Sequence, residues 1–221
     1  MDEGVTFVEV PEESIDVFAR AGRVLVAGGS DSGKSFLVSK LIVKYHKKFE
    51  VILICGIAHH ELQTHPEISS KIVVSEEIVS PVNYKTKDSD RVLLVLDDCY
   101  NTALSSELVS NLFTRGRHVG VSLILVVQNI YSKGKFARDI TLNCTHIILF
   151  KIRDLQQIQV IARQCFGVQR SKEFLQIYKE VVVNTRFGYI LLDLSPHTRT
   201  DLQMRTHIVD EEKYELVLSW D

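Results

Sequence analysis

Arg23-Val24-Leu25-Val26-Ala27-Gly28-Gly29-Ser30-Asp31-Ser32-Gly33-Lys34-Ser35 decides how this chain is read. An apolar strand runs straight into Gly-x4-Gly-Lys-Ser, the pattern of a phosphate-binding loop. Gly28 and Gly33 let the backbone curl so that the N–H groups of Gly29, Ser30, Asp31 and Ser32 point inward at phosphate oxygens. Lys34 brings a point charge to the terminal phosphates, and the Ser35 hydroxyl can ligate Mg2+. The helical pattern from Phe36 to Tyr45 turns its positive dipole end toward the same anion. A glycine turn without a ligand would need neither the strand before it nor the helix after it. The implied ligand is a nucleoside triphosphate with Mg2+.

Bulk properties fit one α/β domain over residues 1–221, with an N-terminal extension at 1–20, a core at 21–195 and a C-terminal extension at 196–221. The chain carries 26 basic and 28 acidic residues, a net charge of −2. That balance excludes a protein held to nucleic acid by its global field, so any DNA contact must come from local clusters. The four cysteines, Cys55, Cys99, Cys144 and Cys165, have no paired spacing, which fits free thiols in a reducing compartment better than disulfides or zinc. No apolar run approaches the roughly 20 residues of a membrane span, and the acidic start Met1-Asp2-Glu3-Gly4 is unlike a signal peptide. An intracellular protein without a membrane partner is expected, in a cell or in what infects one.

Valine-, isoleucine- and leucine-rich runs predict strands over 6–10, 23–27, 49–55, 71–74, 92–96, 122–127, 146–151 and 189–194. Between them, helical patterns cover 34–47, 103–113, 137–143, 154–164 and 171–182. Continuous apolar strands alternating with helices indicate a mostly parallel central sheet flanked by helices. Only the polar segment 63–90, with Pro66 and Pro81, breaks the rhythm and reads as a surface excursion.

A second piece of chemistry is Arg91-Val92-Leu93-Leu94-Val95-Leu96-Asp97-Asp98-Cys99-Tyr100. A buried strand delivers two adjacent carboxylates at its C-terminal end, where ligands sit in open α/β sheets. This is a Walker B arrangement: Asp97 is placed to hold Mg2+, and Asp98 to orient and deprotonate an attacking water. Many enzymes of this class carry glutamate at the second position, so aspartate, one methylene shorter, leaves the base role of Asp98 open. A helix-capping aspartate is the bland reading of the same residues.

A third element is Leu123-Ile124-Leu125-Val126-Val127 followed by Gln128-Asn129. A polar amide at the tip of an apolar strand suits a sensor of the γ-phosphate, if that strand lies between the two Walker strands. Arg115-Gly116-Arg117-His118 sits at the other end of this strand, about 20 Å from its own nucleotide. Arg115 or Arg117 is therefore a candidate arginine finger supplied in trans, against a solvated basic turn as the alternative.

The order of these segments resembles a known family. A phosphate loop is followed by Leu93-Leu94-Val95-Leu96-Asp97-Asp98-Cys99-Tyr100, by Arg115-Gly116-Arg117-His118 three residues before Ser122-Leu123-Ile124-Leu125-Val126-Val127-Gln128, and by Lys135-Phe136-Ala137-Arg138-Asp139-Ile140-Thr141-Leu142-Asn143. Together they are similar to the viral genome-packaging ATPases of the FtsK–HerA superfamily, in the poxvirus-type branch carried by large DNA viruses, virophages and Maverick/Polinton elements. The resemblance implies a RecA-like P-loop fold of the additional-strand type, with the sensor strand inserted between the Walker strands. It implies a homo-oligomeric ring with nucleotide at subunit interfaces, which drives double-stranded DNA into a capsid with ATP, in the virion or at the viral replication site. It assigns Lys34 and Ser35 to phosphate and Mg2+, Asp97 to Mg2+, Asp98 to the water, Gln128 to the sensor and Arg115 or Arg117 to the finger. Asp98 in place of glutamate leaves open slow hydrolysis or a part for Glu107.

Candidate channel cations are Lys133, Lys135, Arg138, Arg163, Arg170 and Lys172, although a residue of each kind is more often a solvated surface charge, and their local clustering is what points to DNA. His59, His60 and His65 around Glu61 read as a solvated loop rather than a zinc site. Phe113, Phe174 and Tyr178 read as packing residues, and Trp220 as either a packing anchor or a subunit contact. Two other function classes remain: a regulatory NTP-binding switch or assembly scaffold with weak hydrolysis, and a nucleotide kinase. The kinase would want its arginines in a lid, and here they precede the sensor strand.

Overall fold

Strands without polar alternation need apolar cover on both faces, and the architecture supplies it. The computed structural model describes residues 6–10, 16–57, 59–131, 133–199, 202–209 and 215–219; Trp220 lies outside them. The strands are β1 (Thr6–Val10), β2 (Arg23–Ala27), β3 (Val51–Gly56), β4 (Ile72–Ser75), β5 (Val92–Asp97), β6 (Val121–Val127), β7 (His146–Leu149), β8 (Ile190–Asp193), β9 (Met204–Thr206) and β10 (Glu215–Ser219). They form one sheet in the order β1-β10-β9-β8-β7-β2-β6-β5-β3-β4.

The run from β7 to β4 is parallel throughout. From β7 outward to β1 every pairing is antiparallel. In the parallel half β6 lies between β2 and β5, with Ala27 opposite Val127 and Leu96 opposite Leu125. The polar tip of β6 therefore emerges between the phosphate loop and the acid pair, as the additional-strand arrangement requires.

Period-two packing divides the core. Val24, Val26, Ile124, Val126, Leu93 and Val95 face α1 (Lys34–Tyr45), meeting Leu37, Val38 and Leu41. Leu25, Leu123, Leu125, Leu94 and Leu96 face the opposite layer. That layer is built from α3 (Tyr100–Ser105), α4 (Glu107–Arg115), α5 (Ala137–Leu142) and α6 (Leu155–Tyr178), after the four-residue α2 (Pro66–Ser69). Phe113, Phe174 and Tyr178 are fully buried there.

Two elements differ from the sequence expectations, and one agrees with them in detail. The helix expected over 103–113 is two helices, broken at Ser106, whose side chain accepts from the Val109 N–H at 3.3 Å and caps α4. The two helices expected over 154–164 and 171–182 are both present within α6, separated by the non-helical backbone of Gly167 (φ 76°, ψ 175°), and the second is continued by a π-turn at Lys179–Val183. The C-terminal extension contributes β9 and β10, and β10 pairs with β1. The excursion over 63–90 holds the edge strand β4.

Candidate functional site

Gly33 takes φ +98° and serves as the N-cap of α1 without a side-chain cap. The turn this conformation permits aims the first N–H groups of the helix into the loop, and they are left for an anion. Gly28 N–H bonds the Val127 carbonyl at 3.2 Å and Gly29 N–H the Lys151 carbonyl at 3.0 Å, so β6 and β7 hold both flanks of the loop. Ser30 and Asp31 face solvent, and Asp31 has φ 56°. The Ser32 hydroxyl is buried without a hydrogen-bond partner. Lys34 is buried and its Nζ donates to the Gly29 carbonyl at 2.6 Å. Burial lowers its pKa against the opposing pull of Asp97 and Asp31.

Ser35 Oγ donates to Asp97 Oδ2 at 2.7 Å, joining the start of α1 to the end of β5. Burial would raise the Asp97 pKa, yet the neighbouring His59 imidazole, the Ser35 hydrogen bond and the Lys34 charge outweigh it and hold the carboxyl below the ordinary aspartate value. A hydroxyl and an ionised carboxylate at one point, beside a phosphate loop, are a donor set suited to Mg2+. Asp98 follows with φ 62° and is exposed. That left-handed conformation is one that aspartate tolerates better than bulky residues do.

Gln128 leaves the tip of β6 exposed and lines, with Gly29, Ser30, Asp31 and Ser32, a cavity of about 740 Å3. Phosphate loop, Ser35–Asp97 pair and sensor position thus converge at the C-terminal edge of the parallel strands. Arg115 and Arg117 do not. Both are exposed at the N-terminal end of β6, with Arg117 Nε donating to His118 Nε2 at 3.3 Å. Glu107 is exposed in the first turn of α4. Lys133, Lys135, Arg138, Arg163, Arg170 and Lys172 are exposed.

His59 overturns the reading of its segment as a solvated loop. It is 5% exposed, with Nε2 3.3 Å from Asp97 Oδ2 and Nδ1 2.7 Å from Ser39 Oγ. Ser39, one turn beyond Ser35 on α1, bonds the Glu61 carboxylate in turn. His60 and His65 are exposed as expected. Among the described residues no group of three or more His, Cys, Asp or Glu is placed to hold a metal. The serine spacing of four on α1 is the only sequence signal that could have found this contact.

Among the described residues, no helix is long and apolar enough to cross a membrane. No curated protein sequence matches the chain. Among solved structures, it is similar to the genome packaging NTPase B204 from Sulfolobus turreted icosahedral virus 2 in complex with ATP-gammaS. The two share 17% identity and a TM-score of 0.57, over 84% of this chain and 96% of that one. It is also similar to the pCW3 conjugation coupling protein TcpA, at 12% identity and a TM-score of 0.53, over 100% of this chain and 67% of that one. These likenesses carry the P-loop α/β fold. The model of the poxvirus A32 protein family matches residues 15–215, and the chain accordingly belongs to that family.

Proposed function

We propose that this packaging ATPase hydrolyses MgATP at the Lys34–Ser35–Asp97 cluster and couples it to sequence-independent movement of double-stranded DNA through a homo-oligomeric ring into a capsid. The observation that carries the reading is the 2.7 Å bond between Ser35 and Asp97 at the mouth of the phosphate loop, with the sensor strand between the two Walker strands. Ser30 to Ser32 receive the phosphates through backbone N–H groups, the Gly29 N–H being taken by the Lys151 carbonyl, and Lys34 releases the Gly29 carbonyl to neutralise the terminal phosphates. Ser35 and Asp97 would hold Mg2+, which when bound neutralises charge on the β- and γ-phosphates. Asp98 accepts the proton of a water that attacks the γ-phosphorus as the bond to the β,γ-bridging oxygen breaks, leaving ADP and phosphate. Gln128 orients that water from the sensor strand. Arg115 or Arg117, exposed at the far end of β6, reaches the γ-phosphate of a neighbouring copy.

Steady-state ATP hydrolysis by the purified chain, with and without long double-stranded DNA and at several protein concentrations, tests this. Turnover that rises with both supports a ring with interfacial sites. Nucleotide binding without turnover under all conditions overturns the motor in favour of a switch. Arg115→Ala and Arg117→Ala separate the finger from the bystander: one of them should cut turnover at nearly constant nucleotide affinity. Mixing that variant with Lys34→Ala subunits should then restore part of the activity. No rescue in any mixture argues against a finger in trans.

A further inference from the structure

The cavity beside the phosphate loop has a second wall that phosphate chemistry does not use. It is the turn Thr185-Arg186-Phe187-Gly188, which joins the π-turn after α6 to β8. Phe187 has φ 60°, a conformation that is strained for a bulky side chain, and the residue is 56% exposed. Both features cost free energy, and neither is imposed by looseness around the turn. A Cβ at Gly188 would come within 2.1 Å of the Val181 carbonyl oxygen, so the chain is pressed onto the end of α6. Tyr189 packs on Phe150 with ring centroids 5.4 Å apart, and Lys151 Nζ donates to the Val183 carbonyl at 3.3 Å. A strained residue held by packed surroundings points to function.

The ring also has a defined place. A Cβ built at Gly33 would lie 3.4 Å from Phe187 Cδ1, so the aromatic stands against the phosphate loop itself. The Arg186 guanidinium lies over the ring, 5.1 Å from its centroid, and both side chains line the cavity. An exposed aromatic face joined to a planar cation is the surface on which nucleobases stack. The geometry points to Arg186 and Phe187 as the nucleobase platform of this site, taking the base of a nucleoside triphosphate while Ser30 to Ser32 take its phosphates. The inference rests on the reading of residues 28–35 as the triphosphate site. Stacking without base-edge hydrogen bonds favours purines over pyrimidines by ring area.

Equilibrium binding of ATP and of inorganic triphosphate to the full chain tests the platform, with wild type, Phe187→Ala, Phe187→Tyr, Phe187→Gly and Lys34→Ala compared. Phe187→Ala should weaken ATP by about tenfold and leave inorganic triphosphate unchanged, while Phe187→Tyr keeps ATP affinity. Phe187→Gly relieves the backbone strain, so it should raise the melting temperature of the free protein while weakening ATP as the alanine variant does. Unchanged ATP affinity in the alanine and glycine variants overturns the platform. So does a parallel loss of ATP and inorganic triphosphate in them, which would mark Phe187 as a prop for the phosphate loop. Lys34→Ala should weaken both ligands. Wild-type protein that binds neither overturns the triphosphate site and the platform with it.

Discussion

Two buried carboxylates end strands of the same sheet, Asp97 on β5 in the parallel half and Asp193 on β8 in the antiparallel half, each beside a histidine. Asp193 is closed off by the protein. Oδ1 accepts from the Ser195 N–H at 2.9 Å and faces His146 Nε2 at 3.5 Å; Oδ2 accepts from Thr198 Oγ1 and Arg205 Nη2, each at 2.9 Å. Burial would raise its pKa, but the His146 bond and charge, the Ser195 N–H and the Arg205 charge bring it down to about 2. Arg205 itself is 2% exposed. Asp97 Oδ2 accepts from Ser35 and lies 3.3 Å from His59 Nε2, while the Lys34 ammonium is turned to the Gly29 carbonyl. A carboxylate whose charge is met by a guanidinium and two further donors is a fixture of the fold. One met by a hydroxyl and an imidazole keeps charge for a cation from outside.

Lys34→Ala and Asp97→Asn should break the role of Asp97 without touching Asp193. Each removes charge aimed at the transferring phosphoryl group, so phosphate release should fall by roughly 10²–10³-fold or more. Urea denaturation of the free protein should be little changed, because neither side chain anchors the fold. A large loss of stability with either substitution would erase the distinction between the two acids.

Asp193→Asn is the reciprocal test. It leaves the Arg205 guanidinium buried without its counter-charge, a change that costs on the order of 3–5 kcal/mol. The urea midpoint should drop accordingly, while ATP hydrolysis per folded molecule stays near that of the parent. Loss of hydrolysis at full stability would place Asp193 in the chemistry and overturn its reading as a fixture.

The same carboxylate sharpens the comparison through acid. Its folded pKa lies below the unfolded value, so the stability it contributes is present above about pH 4 and is lost as pH falls toward 2. The shift corresponds to roughly 2 kcal/mol. Denaturation followed across this window should show that slope in the parent chain and a shallower one in Asp193→Asn. Equal slopes would show that Asp193 is no better satisfied in the folded state than in the unfolded one.

What could be read in advance follows the same divide. The parallel half was legible because its signals are local: a loop motif, an acid pair and an amide each end an apolar run. The position of β6 between β2 and β5 came from family resemblance, since nothing in one strand names its neighbours. The antiparallel half was half-read. β9 has only three residues, Met204-Arg205-Thr206, and a buried arginine at its centre hides the apolar pattern. Its meaning appears only when Asp193, twelve residues earlier, is brought alongside. The Ser106 cap was written in the sequence, but the apolar spacing on either side of it reads as one continuous helix. The strain at Phe187 has no sequence signature, because phenylalanine before glycine gives no hint of a left-handed turn.

His59 is the finest point on which the comparison can be broken. Histidine serves both carboxylates, but His146 is one of several groups on Asp193, whereas His59 stands against the same Asp97 oxygen that Ser35 donates to. Ser39 on α1 fixes the other ring nitrogen, so the imidazole spans α1 and β5 as a brace for Asp97. Groups that orient a metal ligand from behind typically change metal affinity by about 10–100-fold. His59→Ala should therefore raise the Mg2+ concentration needed for half-maximal hydrolysis by about tenfold, with a smaller effect at saturating Mg2+. His59→Asn, which keeps a donor near the carboxylate, should recover part of the loss. An unchanged Mg2+ requirement in the alanine variant, with stability reduced, would make His59 a fixture like His146 and leave Asp97 positioned by Ser35 alone.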